Sequence, residues 1–207
     1  DFLPDGRLLV VDSAEHRLLR REPDGSLVLH ADLSHVSEKP WNDIVVDDRG
    51  NAYVNNIGFD FPEGDFAPGL VVLATPEGRV AQVADGVAFP NGMAIAPDGQ
   101  TLIVAESYAN RLTAYDIGGD GGLDNRRVWA ETPSDHPDGI CIDAEGAVFQ
   151  SGHVEIERRG DTYQMIWFTP ERSHEGVGLR IGDVLVAGYA NGFAPGVLAY
   201  CADRALL

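Results

Sequence analysis

The sequence predicts an all-β chain assembled from blades of a β-propeller. Three observations carry that reading. One segment recurs as Trp-Asn-Asp-Ile-Val-Val-Asp-Asp-Arg-Gly (41–50), Pro-Asn-Gly-Met-Ala-Ile-Ala-Pro-Asp-Gly (90–99) and Pro-Asp-Gly-Ile-Cys-Ile-Asp-Ala-Glu-Gly (137–146). The copies start 49 and 47 residues apart, a repeat length that marks propeller blades. Short apolar runs divided by Asp-Gly turns place four strands in about 40 residues, which fits a blade and not a βαβ unit. No window sustains a period of 3.6, so helices should be few.

Taken in order, Pro4-Asp5-Gly6 is a turn, and strands are expected at 7–12 and 17–21. Pro23-Asp24-Gly25 is a second turn, followed by a strand at 26–30. These make the last three strands of a blade whose innermost strand would lie mostly before Asp1. The next blade is expected at 43–47, 51–55, 70–74 and 79–83. A complete copy follows at 92–96, 101–106, 111–117 and 126–130, with Pro97-Asp98-Gly99 and the glycines of 118–122 as its turns. A fourth copy begins at Gly139 and reaches Gly146 and Val148-Phe149. Beyond about Gln150 the frame is lost, although 164–168, 184–186 and 197–200 still read as strands. The expected organisation is therefore a partial propeller over 1–150, about three and a half blades, and a divergent segment of unassigned fold over 151–207.

The formal charge of −18 argues against nucleic acid, which is bound through clustered Lys and Arg. Residues 1–150 hold 26 acidic against 10 basic side chains, read as a solvated acidic surface. No run approaches the roughly 20 apolar residues of a membrane helix, and no signal peptide is visible. Cys141 and Cys201 are too few for a disulfide framework, and Cys141 reads as a buried strand residue. A cytoplasmic location is the expectation.

Asn42, Asn91 and Asp138 occupy one slot, each eight residues before a turn glycine. Asn-Gly and Asp-Gly are ordinarily turn dipeptides, as at 5–6, 24–25 and 98–99. Here each residue runs without a gap into an apolar strand, which separates the trio from those turns. Innermost strands surround a common channel, so the three should converge at one end of it. Amide and carboxylate oxygens are hard donors suited to Ca²⁺, Mg²⁺ or Mn²⁺, and Asp also binds Zn²⁺.

The segments 41–50, 89–99 and 136–146 resemble the gluconolactonase family that includes senescence marker protein 30. The likeness covers about residues 2–150 and is most specific at Ala88-Phe89-Pro90-Asn91-Gly92-Met93 and at 137–143. The resemblance implies a six-bladed propeller that holds one divalent cation (Ca, Zn, Mn or Mg) and hydrolyses sugar-type lactones. It puts metal ligands on Asn91 and Asp138, with Asn42 facing the substrate or a water at the metal. The family's glutamate ligand in the first blade has no counterpart after Asp1, and its sugar-contacting arginine is replaced by Pro40.

Asp138 is the expected ligand and general base of a metal-dependent lactone hydrolase. His136 is a possible helper, although an exposed loop histidine is the plainer reading. Asp60, Glu63 and Asp65 form an acidic loop that is either a lid or a solvated connection. The charges of Glu155, Glu157, Arg158 and Arg159 read as surface. The alternatives are a propeller that binds a cation without catalysis, and an inactive truncated fragment. The expected partner is a small lactone, with neither nucleic acid nor membrane.

Overall fold

The computed structural model describes residues 1–133, 135–142 and 146–150, and the strands at 153–159, 162–168, 173–181, 184–191 and 194–201. Side chains are described as far as residue 148. The chain divides into two compact units, Asp1–Ile140 and Cys141–Leu207. Every described regular element is a strand apart from one 3-10 turn, Ser107–Ala109.

The first unit contains three antiparallel meanders. A three-stranded sheet is formed by β1 (Leu9–Asp12), β2 (Arg17–Arg21) and β3 (Leu27–Asp32), with a bridge from Phe2 to Leu8 before it. A four-stranded sheet follows in the order β4 (Trp41–Val46), β5 (Ala52–Asn56), β6 (Gly69–Ala74) and β7 (Val80–Val87). The third has the same order in β8 (Pro90–Ile95), β9 (Thr101–Glu106), β10 (Arg111–Ile117) and β11 (Leu123–Glu131). These are successive blades, and β12 (Ile140–Ile142), paired with β13 (Val148–Gln150), starts another copy. The all-β, partial-propeller expectation is met.

β6 is apolar throughout and β5 over 52–54, because both of their faces are buried. In β5 and β6, Ala52, Val54, Val72 and Ala74 pack toward Leu9, Leu18 and Leu33 of the first blade. Their neighbours Tyr53, Val71 and Leu73 point the other way, onto Met93, Leu102, Val104 and Tyr115 of the third. The two-residue alternation of a strand thus builds two inter-blade cores from one sheet. Burying each Leu or Val contributes about 1.5–3 kcal/mol.

The Asp-Gly turns fold for a local reason. The carboxylates of Asp5, Asp24 and Asp98 each accept the backbone N–H two residues on, at 3.1, 2.9 and 2.8 Å. The glycines between adopt φ of 84°, 88° and 68°, which a Cβ disfavours. Neither Gly92 nor Gly139 is among the residues of positive φ. Asn91-Gly92 lies within β8, and Asp138-Gly139 leads directly into β12.

Two boundaries differ from expectation. The inner strands start earlier, at Trp41 and Pro90, because backbone pairing continues through polar residues. The outer strands β7 and β11 run longer than 79–83 and 126–130. Half of β7 and two thirds of β11 are exposed, so the apolar pattern fades while the ladder persists, broken by bulges.

In the second unit, β14 (His153–Arg159), β15 (Thr162–Phe168), β16 (Ser173–Ile181), β17 (Val184–Asn191) and β18 (Ala194–Cys201) form an up-and-down five-stranded sheet. The strand-like runs expected at 164–168, 184–186 and 197–200 fall within it. The side chains of Glu155, Glu157, Arg158, Arg159 and Cys201 lie outside the described residues. Cys141 is half-buried in β12 rather than fully buried.

Leu102 is fully buried between the second and third blades. Leu102→Ala should lower the unfolding free energy by about 3 kcal/mol in a urea titration. An unchanged midpoint would mean that this interface does not support the fold.

Candidate functional site

The ladder between each inner strand and its neighbour is interrupted at one place in both copies. Pairing of β4 with β5 shifts between Trp41 and Ile44, and pairing of β8 with β9 shifts between Pro90 and Met93. A bulge frees backbone groups that must find other partners. The slot residues Asn42 and Asn91 sit in these bulges.

Most of the partners come from an adjoining copy of the repeat. Met93 N donates to Asp43 Oδ2 at 2.7 Å, and Asn55 Nδ2 donates to Asn91 O at 2.6 Å. Asn55 Oδ1 in turn accepts Asp43 N at 3.1 Å. Gly92 N donates to Asp138 O at 2.9 Å. A Cβ on Gly92 would stand 2.4 Å from Ile140 N and 2.6 Å from Asp138 O, so only glycine permits this approach.

Asn42 and Asn91 are thereby gathered on adjoining strands, with the backbone of Asp138 beside them. Asn42 Nδ2 lies 3.4 Å from Asn91 Oδ1 and 3.4 Å from Pro90 O. Asn91 Nδ2 lies 3.4 Å from Ser107 Oγ, and that hydroxyl donates to Pro137 O at 2.6 Å. Asn42 and Asp138 are exposed, and Asn91 is half-buried. Behind them, burial pushes the Asp43 carboxyl above the usual carboxylate range, and the like charge of Asp138 adds to the rise. Hydrogen bonds from Ile44 and Met93 N–H oppose it.

Residues 2–166 match the SMP-30/Gluconolactonase/LRE-like region. The chain belongs to this family. It is 31% identical over 137 residues to diisopropyl-fluorophosphatase of Loligo vulgaris, a match covering 56% of this chain and 42% of that protein. It is 31% identical over 132 residues to regucalcin of Danio rerio, covering 59% and 44%. The chain thus spans less than half the length of these relatives. A gluconolactonase structure from Xanthomonas campestris superimposes with a TM-score of 0.61 at 23% identity, covering 95% of this chain and 69% of that one. That likeness bears on the fold.

The donor chemistry of the family member in hand fits a hard divalent cation. Among the described residues no three His, Cys, Asp or Glu side chains come together, so amide oxygens must complete any set containing Asp138. Asn91 and Asn42 offer such oxygens from adjoining strands. His136 is exposed, with Nδ1 2.9 Å from Ser107 O and 3.2 Å from Asn110 Nδ2, so the ring is engaged with the turn. Pro40 accepts Ile57 N at 2.9 Å. In the acidic loop, Asp60 pairs with Lys39 at 2.7 Å, while Glu63 and Asp65 are exposed.

Sequence reasoning missed a second repeated slot that supports the first. Val-Asp-Ser-Ala-Glu-His-Arg-Leu (11–18) and Ala-Glu-Ser-Tyr-Ala-Asn-Arg-Leu (105–112) share an acid, a serine and an arginine in register. In both, the acid pairs with the arginine five residues on, Asp12 with Arg17 and Glu106 with Arg111, at 3.0 Å. In both, the serine holds the residue just before a slot position. Ser13 Oγ accepts Trp41 N at 3.1 Å, as Ser107 Oγ donates to Pro137 O. The shared spacing was the available signal. For Asn55, the signal was an Asn pair inside an otherwise apolar strand.

Glu106 is fully buried. Burial alone would raise its pKa, but Ala88 N–H at 2.7 Å, the Thr113 hydroxyl and Arg126 outweigh that and hold it below the usual range. A depressed carboxylate stabilises the fold fully above its unfolded value near 4.5 and loses that contribution as pH falls through its folded value. Glu106→Gln should cost about 1–3 kcal/mol at neutral pH by removing the buried carboxylate that Arg111 and Arg126 pair with, and less in acid. Urea titrations from pH 7 downward measure this; a penalty independent of pH would contradict it.

Proposed function

We propose that this chain carries the cation site and part of the substrate-binding rim of a hydrolase that opens a lactone. The observation supporting the reading most is the meeting of the Asn42 and Asn91 amides at 3.4 Å, beside the segment bearing Asp138 and lashed to it through Gly92. Membership of a family whose relatives include enzymes agrees with it. A divalent cation held by Asn91 and Asp138 would supply an electrophile for the lactone carbonyl and lower the pKa of a nearby water.

The protein's own groups do the remaining work. Asn42 orients the ester at the rim. Asp138 takes a proton from water as its oxygen bonds to the carbonyl carbon. The ring C–O bond then breaks, and Asp138 returns that proton to the leaving alkoxide, giving a hydroxy acid. The sugar-type lactone implied by the sequence resemblance is the first substrate to test.

Hydrolysis of δ-gluconolactone, followed by pH-stat, should cease with EDTA and return with Ca²⁺, Mn²⁺, Mg²⁺ or Zn²⁺. Asp138→Asn should lower kcat/KM by about 100-fold or more, whereas Asn42→Ala should act mainly through KM. Full activity in Asp138→Asn would remove that residue from the mechanism. Tight cation binding without turnover of any lactone would make the chain a non-catalytic binder.

A further inference from the structure

Five aromatic rings gather beside the polar slot. Phe59, Phe61 and Phe66 belong to the 57–68 loop after β5, Phe89 precedes Pro90-Asn91, and Tyr108 lies in the 3-10 turn. Phe89 and Tyr108 stack at 4.7 Å, and Phe61 meets Phe89 edge-on at 5.0 Å. Phe66 lies 5.6 Å from Tyr108, and Phe59 touches all four other rings within 6.2 Å. Phe59 and Phe89 are buried, yet Phe61, Phe66 and Tyr108 are 50%, 52% and 49% exposed. Folding gives no reason to hold three packed rings half in water, and such a patch marks a binding surface.

The backbone ties these rings to the slot. Ser107 N donates to Phe89 O at 3.1 Å and Tyr108 N donates to Ala88 O at 3.2 Å. The same turn brings Ser107 Oγ to Asn91 Nδ2. The loop is secured on its other side by the Lys39–Asp60 ion pair, three residues before Asn42. The wall therefore borders the amides and is anchored at two points.

We propose that this aromatic wall is the subsite for the non-reacting part of the substrate, so that the preferred lactone bears an aromatic or other apolar substituent. The proposal rests on the lactonase reading above and narrows its substrate class. A ring can stack on the C–H face of a sugar, but a polyol also needs donors and acceptors around its hydroxyls. The five rings themselves offer only Tyr108 Oη, and the loop's other polar side chains, Asp60, Glu63 and Asp65, are carboxylates that accept but do not donate. An apolar substituent instead removes exposed ring surface from water without stranding polar groups.

The test uses the whole chain with Ca²⁺, assayed on δ-gluconolactone and dihydrocoumarin and titrated calorimetrically with the unreactive lactam analogue of dihydrocoumarin. Dihydrocoumarin should be preferred by about tenfold or more in kcat/KM. Phe66→Ala and Tyr108→Ala should each lower that preference and weaken lactam binding by about tenfold, while Tyr108→Phe should retain both. The replaced side chains are half-exposed, and circular dichroism with urea midpoints checks that the variants fold. Lactam binding that the alanine variants weaken, with no lactone opened by any form, would sustain the subsite while removing the lactonase reading. Absence of lactam binding, or binding unchanged in both alanine variants, overturns the proposal. A preference for δ-gluconolactone that the variants do not shift overturns it as well.

Discussion

Gly92 N reaches Asp138 O across the boundary between two copies of the repeat, and much of the site depends on that contact. A strand normally spends its hydrogen bonds on neighbours in its own sheet. The bulges at Asn42 and Asn91 break this habit at matching positions, and at the second the freed N–H groups bond to adjoining copies. Met93 finds the Asp43 carboxylate and Gly92 finds the Asp138 carbonyl. Buried Asn55 closes the network by serving Asp43 and Asn91 together. One-residue irregularities thus lash the inner strand β4 to β8, and β8 to the segment at Asp138. The side chains of Asn42 and Asn91 are positioned by the same geometry, because they occupy the bulges themselves.

The rim above this network is held by charge. Glu106 has no water contact, so its negative charge is tolerable only with several donors, and it has Ala88 N–H, Thr113 Oγ1, Arg111 and Arg126. Ala88 leads into Phe89, a non-glycine residue at φ 55°, a conformation that needs support from its surroundings. Phe89 then delivers Pro90 and Asn91 into the bulge. A carboxylate at the end of β9 is in this way connected, residue by residue, to an amide in the slot. The first blade repeats the device more weakly, with Asp12 and Arg17 partly exposed.

Much of this was legible in the sequence, and for a physical reason. The middle blade strand Thr101–Glu106 is buried on both faces, so its run 102–105 stands out as an unbroken apolar stretch, and that strand and Arg17–Arg21 begin and end where expected. The slot was legible because its spacing repeats. The distinction of Asn91-Gly92 from the true turns also holds, since Gly92 lies in a strand while Gly99 takes positive φ. Harder to see was the cross-blade network, because nothing local marks Asp43 as facing Met93 fifty residues on. The bulges were hidden too, since they shift register without altering the apolar pattern. The aromatic loop was read through Asp60, Glu63 and Asp65, its charges, whereas apart from the Asp60–Lys39 pair its rings make the tertiary contacts.

The loops joining the second and third strands of each blade show how one repeat can hold fixed chemistry and variable selectivity. In the first and third blades these connections are the short segments 13–16 and 107–110, each closing on a residue of positive φ, His16 and Asn110. Their serines brace the inner segment that follows. The middle blade departs at this point. Asn56 ends β5, its amide bonds to Lys39 O and Gly58 N, and the chain then runs through 57–68 before β6. Inserting residues there leaves both inter-blade cores intact, because the loop leaves the sheet beyond its last paired residue. The insertion carries three phenylalanines to the rim, where they meet Phe89 and Tyr108. The slot is constrained by the blade-to-blade hydrogen bonds, whereas the exposed rings of Phe61 and Phe66 are placed by packing against other rings on a loop tied down at its base. Substitution can therefore reshape the wall and its apolar surface while the amides of Asn42 and Asn91 stay in place.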